Sequence, residues 1–313
     1  MAEKIATRDA YGKALAQLGK VNGDVVVLDA DLSKSTKTAV FQKEFPNRFF
    51  NMGIAEQNLM GTAAGFAASG KIPFASTFAM FATGRAFEII RNSICYPELN
   101  VKICATHAGL TVGEDGASHQ ALEDLACMRV LPNMVVLNPS DAVSTHKAIF
   151  AAAKHKGPVY VRLGRAGVPV LYDESELSFE IGKGIQLKEG KDATIIATGI
   201  MVAEAIQARD ILEAEGIDVR VIDMHTLKPI DKDIIVKAAE ETGAIVTAEE
   251  HNIIGGLGSA VAEVLVEHKP VPMKRVGTMD TFGESGKPAE LMKKYGLTAE
   301  HLAEAVKDII KKK

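Results

Sequence analysis

Cysteine is scarce, and the little that is present forms no pattern. Cys95, Cys104 and Cys127 are the only three thiols, and none stands at a C-x-x-C spacing. An odd count without paired spacing excludes a disulfide framework and a zinc knuckle. It points to a reducing compartment, with the thiols read as core residues. Long apolar runs are missing too. No stretch reaches the ~20 residues that cross a bilayer, and the opening residues MAEKIATRDAYGKAL lack the apolar centre of a secretory signal. Blocks of like charge are absent as well: 36 Lys and Arg mix with 40 Asp and Glu for a net charge of −4. Neither nucleic acid nor a membrane is therefore expected as a partner, and a cytoplasmic location is. No P-loop occurs. GGLGSA (255–260) has the composition of a dinucleotide loop but neither its G-x-G-x-x-G spacing nor the acid ~20 positions later.

What the chain does have is alternation. β-branched runs read as buried strands at 24–31 (DVVVLDAD), KIPFAS, VKICATH, 134–140 (MVVLNPS) and 157–165 (GPVYVRLGR). Between them lie helical stretches: EQNLMGTAAGFAASG (56–70), FATGRAFEIIRNSI, and DAVSTHKAIFAAAKH with Asp141 as N-cap. A polar stretch, 166–192, has the turn chemistry of a linker and room for a hairpin. The alternation then resumes: ATIIATG, a helix 201–215, DVRVIDMHT, a helix 231–241, GAIVTAEE, a helix near 256–268, VPMKRVGT and a terminal helix 298–312. This is the βαβ rhythm of an α/β protein with two domains, each a mostly parallel sheet covered by helices. The expected organisation is 1–170, a linker 171–190, and 191–313.

Ligands gather at the carboxyl ends of such strands. The segment THAGLTVGEDGASHQALEDL (106–125) starts at one of those ends and holds His107, Glu114, Asp115 and His119. GEDG alone reads as a solvated turn. With imidazoles on both sides, it reads as the lining of a site for a polyhydroxylated, anionic substrate. A metal site built from His107, Asp115 and His119 lacks the short helical spacing and ranks below it. Glu56 opens an apolar helix, either as an acid at a helix N-terminus or as a buried carboxyl in an apolar setting that meets a heterocycle. Phe78 and Phe81 sit at i and i+3, as core packing or as an aromatic wall. Arg8, Ser35, His107 and Arg165, brought together at strand ends, would hold a phosphate.

The words ATRDAYGKAL, DADLSKST, FFNMGIAEQNLM, STFAMF, THAGLTVGEDGASHQALEDLACMRVLPNM and VRLGR together resemble the C-terminal portion of transketolase, over nearly the whole chain. The resemblance implies a pyrimidine-binding domain followed by a transketolase C-terminal domain. The implied activity moves a two-carbon ketol unit from a ketose phosphate to an aldose phosphate through thiamine diphosphate. It places Glu56 on the cofactor's aminopyrimidine ring, where it favours the imino tautomer, Phe78 and Phe81 around that ring, and Asp31 nearby. Arg8, Ser35, His107 and Arg165 fall on the sugar-phosphate groups, Asp115 on a substrate hydroxyl, and His119 at the donor's reacting end; His107 joins Glu56 and His119 in the catalytic set. A family tyrosine is replaced by Gly84, and HAGL and GASHQ stand where HDSI and GPTHQ are usual. The G-D-G…N diphosphate signature is missing, so no metal is expected in this chain. The resemblance instead implies an N-terminal transketolase subunit that carries the diphosphate domain with Mg2+ or Ca2+, in an assembly with two of each chain. The alternatives are a 1-deoxyxylulose-5-phosphate synthase-like chain, a 2-oxoacid dehydrogenase β subunit, and a non-catalytic scaffold.

Overall fold

Residues 3–313 are described by a computed structural model. The first half begins with β1 (Lys4–Ala6), α1 (Thr7–Val21), β2 (Val25–Asp29), α2 (Ser33–Thr36), α3 (Ala39–Glu44), β3 (Phe49–Asn51), α4 (Glu56–Ala68) and β4 (Ile72–Phe78). It continues through α5 (Phe87–Ile89), β5 (Lys102–Thr106), α6 (Asp124–Arg129), β6 (Val135–Leu137), α7 (Ala142–Lys154), β7 (Val159–Arg162) and β8 (Gly167–Pro169). The second half runs β9 (Ile185–Lys188), β10 (Ala193–Ala197), α8 (Met201–Ala214), β11 (Val219–Asp223), β12 (Thr226–Lys228), α9 (Lys232–Thr242) and β13 (Ile245–Asn252). It ends with α10 (Leu257–His268), β14 (Met273–Thr278), α11 (Pro288–Lys294) and α12 (Ala299–Ile310).

Two mostly parallel sheets result, as the βαβ rhythm predicts. The larger has the order β12-β6-β7-β5-β4-β2-β3, and the smaller β14-β13-β10-β11-β9. Only β12 and β9 run antiparallel to their neighbours within them. Both sheets are buried on two faces, which is why β2, β5, β7, β10 and β11 are buried at every position. Asp141 caps α7 as expected: its carboxylate accepts from Ser144 N while the Ser144 hydroxyl returns to the Asp141 backbone.

Three expectations are corrected. The stretch 166–192 forms no hairpin: β8 pairs with β1 and β9 pairs with β11. The helix predicted over 81–94 is broken into π-helical turns at Phe81–Arg85 and Ile90–Cys95 around α5, a form that recurs where a helix meets a site. Of the three thiols, Cys95 and Cys104 are core residues, but Cys127 is only half-buried. Among the described residues, no helix is long and apolar enough to cross a membrane.

The halves meet along a buried seam. β12, from the second half, adds to the edge of the first sheet beside β6. Arg162 on β7 donates through Nε to Asp124 Oδ2 at 2.8 Å and through Nη2 to Oδ1 at 3.1 Å, and Tyr160 donates to the same carboxylate at 2.7 Å. Arg162 Nη2 also reaches the Glu250 carbonyl of β13 at 3.0 Å. Burial pushes the Asp124 carboxyl up, but the Arg162 and His251 charges together with the hydrogen bonds from Arg162 and Tyr160 hold it below the usual range. The Asp223 carboxylate, at the end of β11, accepts from Ser140 Oγ at 2.6 Å and Tyr172 Oη at 2.7 Å. The Glu249 carboxylate accepts from the Leu257 and Gly258 amides at the start of α10, both at 2.7 Å.

Candidate active site

Strands β2, β4, β5, β6 and β7 are parallel, so their carboxyl ends share one rim. Phe78 is the last residue of β4, and His107 is the first after β5. Their rings stack at 3.8 Å. His107 adopts φ 57°, which turns the chain sharply out of the strand. Arg8, in the first turn of α1, places Nη1 3.0 Å from His107 Nε2 and donates to the Ser35 carbonyl at 3.1 Å. A guanidinium can only donate, so Nε2 is the acceptor. The ring proton therefore sits on Nδ1 and points to Thr106 Oγ1 at 2.9 Å. Burial, then the Arg8, Arg165, His119 and Lys37 charges, push His107 down to about 3. At neutral pH it is an uncharged imidazole with a fixed tautomer.

A second group lies on the other side of Phe78. Phe81 stacks on Phe78 at 6.0 Å, and the His119 ring meets Phe81 edge-on at 5.3 Å. The Arg85 guanidinium covers Phe81 at 5.0 Å and donates to Glu56 Oε2 at 2.8 Å. The contacts thus form an unbroken row: Glu56, Arg85, Phe81, Phe78, His107, Arg8 and the Ser35 carbonyl. Glu56 is 2% exposed, yet its partner Arg85 is 51% exposed. The apolar setting expected for this carboxyl is therefore corrected: it is buried, but it faces a guanidinium that solvent can reach.

The remaining predicted residues sit around this row. Arg165 follows β7; it donates to the Val112 carbonyl and lies 3.2 Å from Glu114 Oε2. Ser35 takes part through its carbonyl. Asp31, exposed and with φ 62°, accepts from Asn51 Nδ2 at 2.8 Å. Asp115 is exposed, and among the described residues its carboxylate has no hydrogen bond or ion pair. The structure does not bring Asp31 or Asp115 into the row. Gly84 lies in the π-helical turn after Phe81 and opens onto a cleft of about 740 Å³ lined also by Arg85, Gln120, Asn252, Asp280 and Phe282.

Sequence reasoning missed three contributors. Arg85 stands four residues beyond Phe81, one helical turn away, and that spacing was the available signal. Asp29 is buried at the end of β2 and accepts from Leu32 N at 2.6 Å, Thr36 Oγ1 at 2.6 Å and Thr38 Oγ1 at 2.8 Å, which fixes the loop that carries Ser35. Glu250 reaches across the seam: its Oε1 accepts from Thr111 N at 2.6 Å. Its carboxylate lies against Gly109, at φ 83°, and leaves no space for a side chain there. Nothing in the sequence links Glu250 to a segment 139 residues earlier.

Comparison with known proteins agrees with this arrangement. The family model described as transketolase, pyrimidine binding domain, matches residues 3–170, and that described as transketolase, C-terminal domain, matches 182–302. A protein assigned as a transketolase C-terminal section in Methanocaldococcus jannaschii is 55% identical, over 97% of this chain and 96% of its own. A 6-deoxy-6-sulfo-D-fructose transketolase subunit from Clostridium sp. is 42% identical, over 98% and 95%. Human transketolase is 40% identical over 99% of this chain, which spans 50% of the human protein. A solved split-gene transketolase, described as an inactive β4 tetramer, superposes with a TM-score of 0.92 at 64% identity, covering 98% of this chain and 99% of its own. On sequence, fold and the shared rim, this chain belongs to the transketolase family.

Proposed function

We propose that this chain supplies the pyrimidine side of a thiamine-diphosphate-dependent transketolase, transferring a two-carbon ketol unit from a ketose phosphate to an aldose phosphate. The observation that carries the reading is the row from Glu56 to Arg8, which joins a buried carboxylate, two phenyl rings and a cationic end along one strand rim. The donor set suits the cofactor's aminopyrimidine: a carboxylate for a ring nitrogen and phenyl faces for a planar ring. When bound, thiamine diphosphate supplies the electron sink for carbon–carbon cleavage.

The chain's own residues do the rest. Glu56 would hold the ring nitrogen, with the half-exposed Arg85 as the partner it would exchange for the ring. Neutral His107, its Nε2 held by Arg8 and its Nδ1–H by Thr106, positions Arg8 rather than supplying a charge, so the phosphate's charge falls to Arg8 and Arg165. His119, at the edge of Phe81, is placed to hold or move a proton at the donor's reacting end. Asp115 is assigned to a substrate hydroxyl and Asp31 to the cofactor's surroundings.

The diphosphate and its Mg2+ or Ca2+ are assigned to a partner chain, because the G-D-G…N word is absent here. A related chain solved as an inactive β4 tetramer supports self-association and inactivity in isolation; with the partner, two of each chain form the active unit. The test is calorimetric titration of thiamine diphosphate and Mg2+ into this chain, with and without a chain bearing the diphosphate domain, beside a ketol-transfer assay. Tight binding and turnover are expected only with both chains. Turnover by this chain alone would overturn the assignment.

A further inference from the structure

The phosphate end of the site has a cation that the family resemblance does not supply. Lys37 lies two residues beyond Ser35, just after α2, in the left-handed conformation with φ 70°. Its backbone is pressed against α1 at Gly12, where a Cβ would come within 2.7 Å of both Lys37 Cβ and the Lys37 carbonyl. Only glycine at that helix position lets the loop come so close. The Lys37 stem therefore starts from a fixed point beside the first turn of α1, which carries Arg8 and Asp9. Its Nζ lies 3.0 Å from Asp9 Oδ1, with the two side chains 33% and 40% exposed. An open cavity of about 510 Å³ has Lys37, Asp9, Lys13 and Arg165 on its wall, so it shares Arg165 with the rim.

Apart from the exposed Lys13 on the outer wall, the charges at this end can be counted. His107 contributes none. Arg8 is tied to His107 and the Ser35 carbonyl, and Arg165 is partly offset by Glu114. Those two guanidiniums suffice for one negative charge. Lys37, held in reserve by Asp9, matches a second. A relative 42% identical is named for a sugar that ends in a sulfonate. A sulfonate is a monoanion, whereas a phosphate monoester is a dianion above its second pKa of about 6.

We propose that Lys37 is a specificity-determining residue that selects a dianionic phosphate terminus over a monoanionic sulfonate on the same sugar. Substrate phosphate displaces Asp9 from Lys37; a sulfonate leaves the Lys37–Asp9 pair intact. This rests on the ketol-transfer reading for its substrates, though not for its charge chemistry.

Two measurements separate the two. In the two-chain enzyme, kcat/KM is compared for fructose 6-phosphate and 6-deoxy-6-sulfofructose. In this chain alone, inorganic phosphate and methanesulfonate are titrated at pH 8 and followed by the His107 and His119 ring resonances. The wild type is expected to favour phosphate in both. Lys37→Met, with Lys37→Gln as a second variant, is expected to lower that preference about tenfold through KM, with kcat retained; that size suits a half-exposed charge-assisted contact. Asp9→Asn, which frees Lys37 for either anion, is expected to strengthen binding of both phosphate and sulfonate a few-fold. Equal losses on both anions, or an unchanged ratio in both Lys37 variants, would overturn the proposal. A Lys37-dependent preference in the titration without any ketol transfer would uphold it and sink the functional reading instead.

Discussion

The two sheets obey one architectural rule and end differently. Both are parallel sheets covered by helices, and both gather polar residues at the carboxyl ends of their strands. In the first sheet those ends stay partly open: Arg8, Phe81 and Arg165 are half-buried around the buried Phe78 and His107. In the second sheet the equivalent ends are closed. Asp223 ends β11, and Glu249, Glu250 and His251 lie near the end of β13; all four are buried, Asp223, Glu250 and His251 against first-half residues and Glu249 on the start of α10. The same topology leaves clefts where the second half does not cover it and makes an adhesive where it does. The polar groups of the rim pair with one another at a partly exposed surface, while those of the seam pair in the interior.

Breaking the seam should therefore cost stability, and breaking the rim should cost function. Arg162→Met leaves Asp124 charged and unpaired in a fully buried place. The expected loss is roughly 3–5 kcal/mol, read by urea denaturation. Arg165→Ala at the rim, where the side chain is 36% exposed, should move stability by less than about 1 kcal/mol. Equal losses would erase the contrast.

Glu56→Gln tests the rim from the other side. It keeps the volume of a buried side chain and removes the charge beside Arg85, so folding should be nearly unaffected. Ketol transfer with the partner chain should fall at least ~100-fold. A substantially active variant would remove Glu56 from the cofactor's ring.

A smaller effect is expected when Arg165→Ala is assayed rather than unfolded. KM for phosphorylated donors should rise by up to about tenfold, with non-phosphorylated donors nearly unchanged. A matching loss on both kinds of substrate would make Arg165 a structural tie to Val112 and Glu114.

A last contrast lies in pH dependence at the seam. Burial pushes the Asp223 carboxyl up to about 7. The folded state thus binds its proton more tightly than the unfolded chain does. The stability this contributes is present below about pH 4 and is lost as pH rises through about 7. Asp223→Asn removes that titration, so relative to wild type the variant should gain stability as pH rises through this window. His107 has the opposite sign: its neutral form is favoured, and its contribution is lost as pH falls from about 6.5 toward about 3. Denaturation midpoints measured from pH 4 to 8 for wild type and Asp223→Asn would reveal the difference. A constant offset would show that Asp223 does not titrate there.

Much of this was legible along the chain because it is local. Strands and helices followed from β-branched runs and helical periodicity, Asp141 from the cap chemistry three residues before Ser144, and the strand-end position of His107, Phe78 and Arg165 from the parallel rule alone. The resemblance to transketolase likewise rests on short contiguous words. Side-chain partnership was not legible, because it depends on which residues meet across space. Sequence marked Glu56 as a special acid, but only the folded helix turn could place the Arg85 guanidinium on it. It marked His107 as an imidazole able to carry charge, but burial and the Arg8, Arg165, His119 and Lys37 charges settled that it stays neutral. Glu250 on Thr111, β12 beside β6, and the Gly12–Lys37 contact join segments far apart in the chain. Each is decided by how two packed layers meet, where a desolvated group has to find its partner on the other layer or not at all.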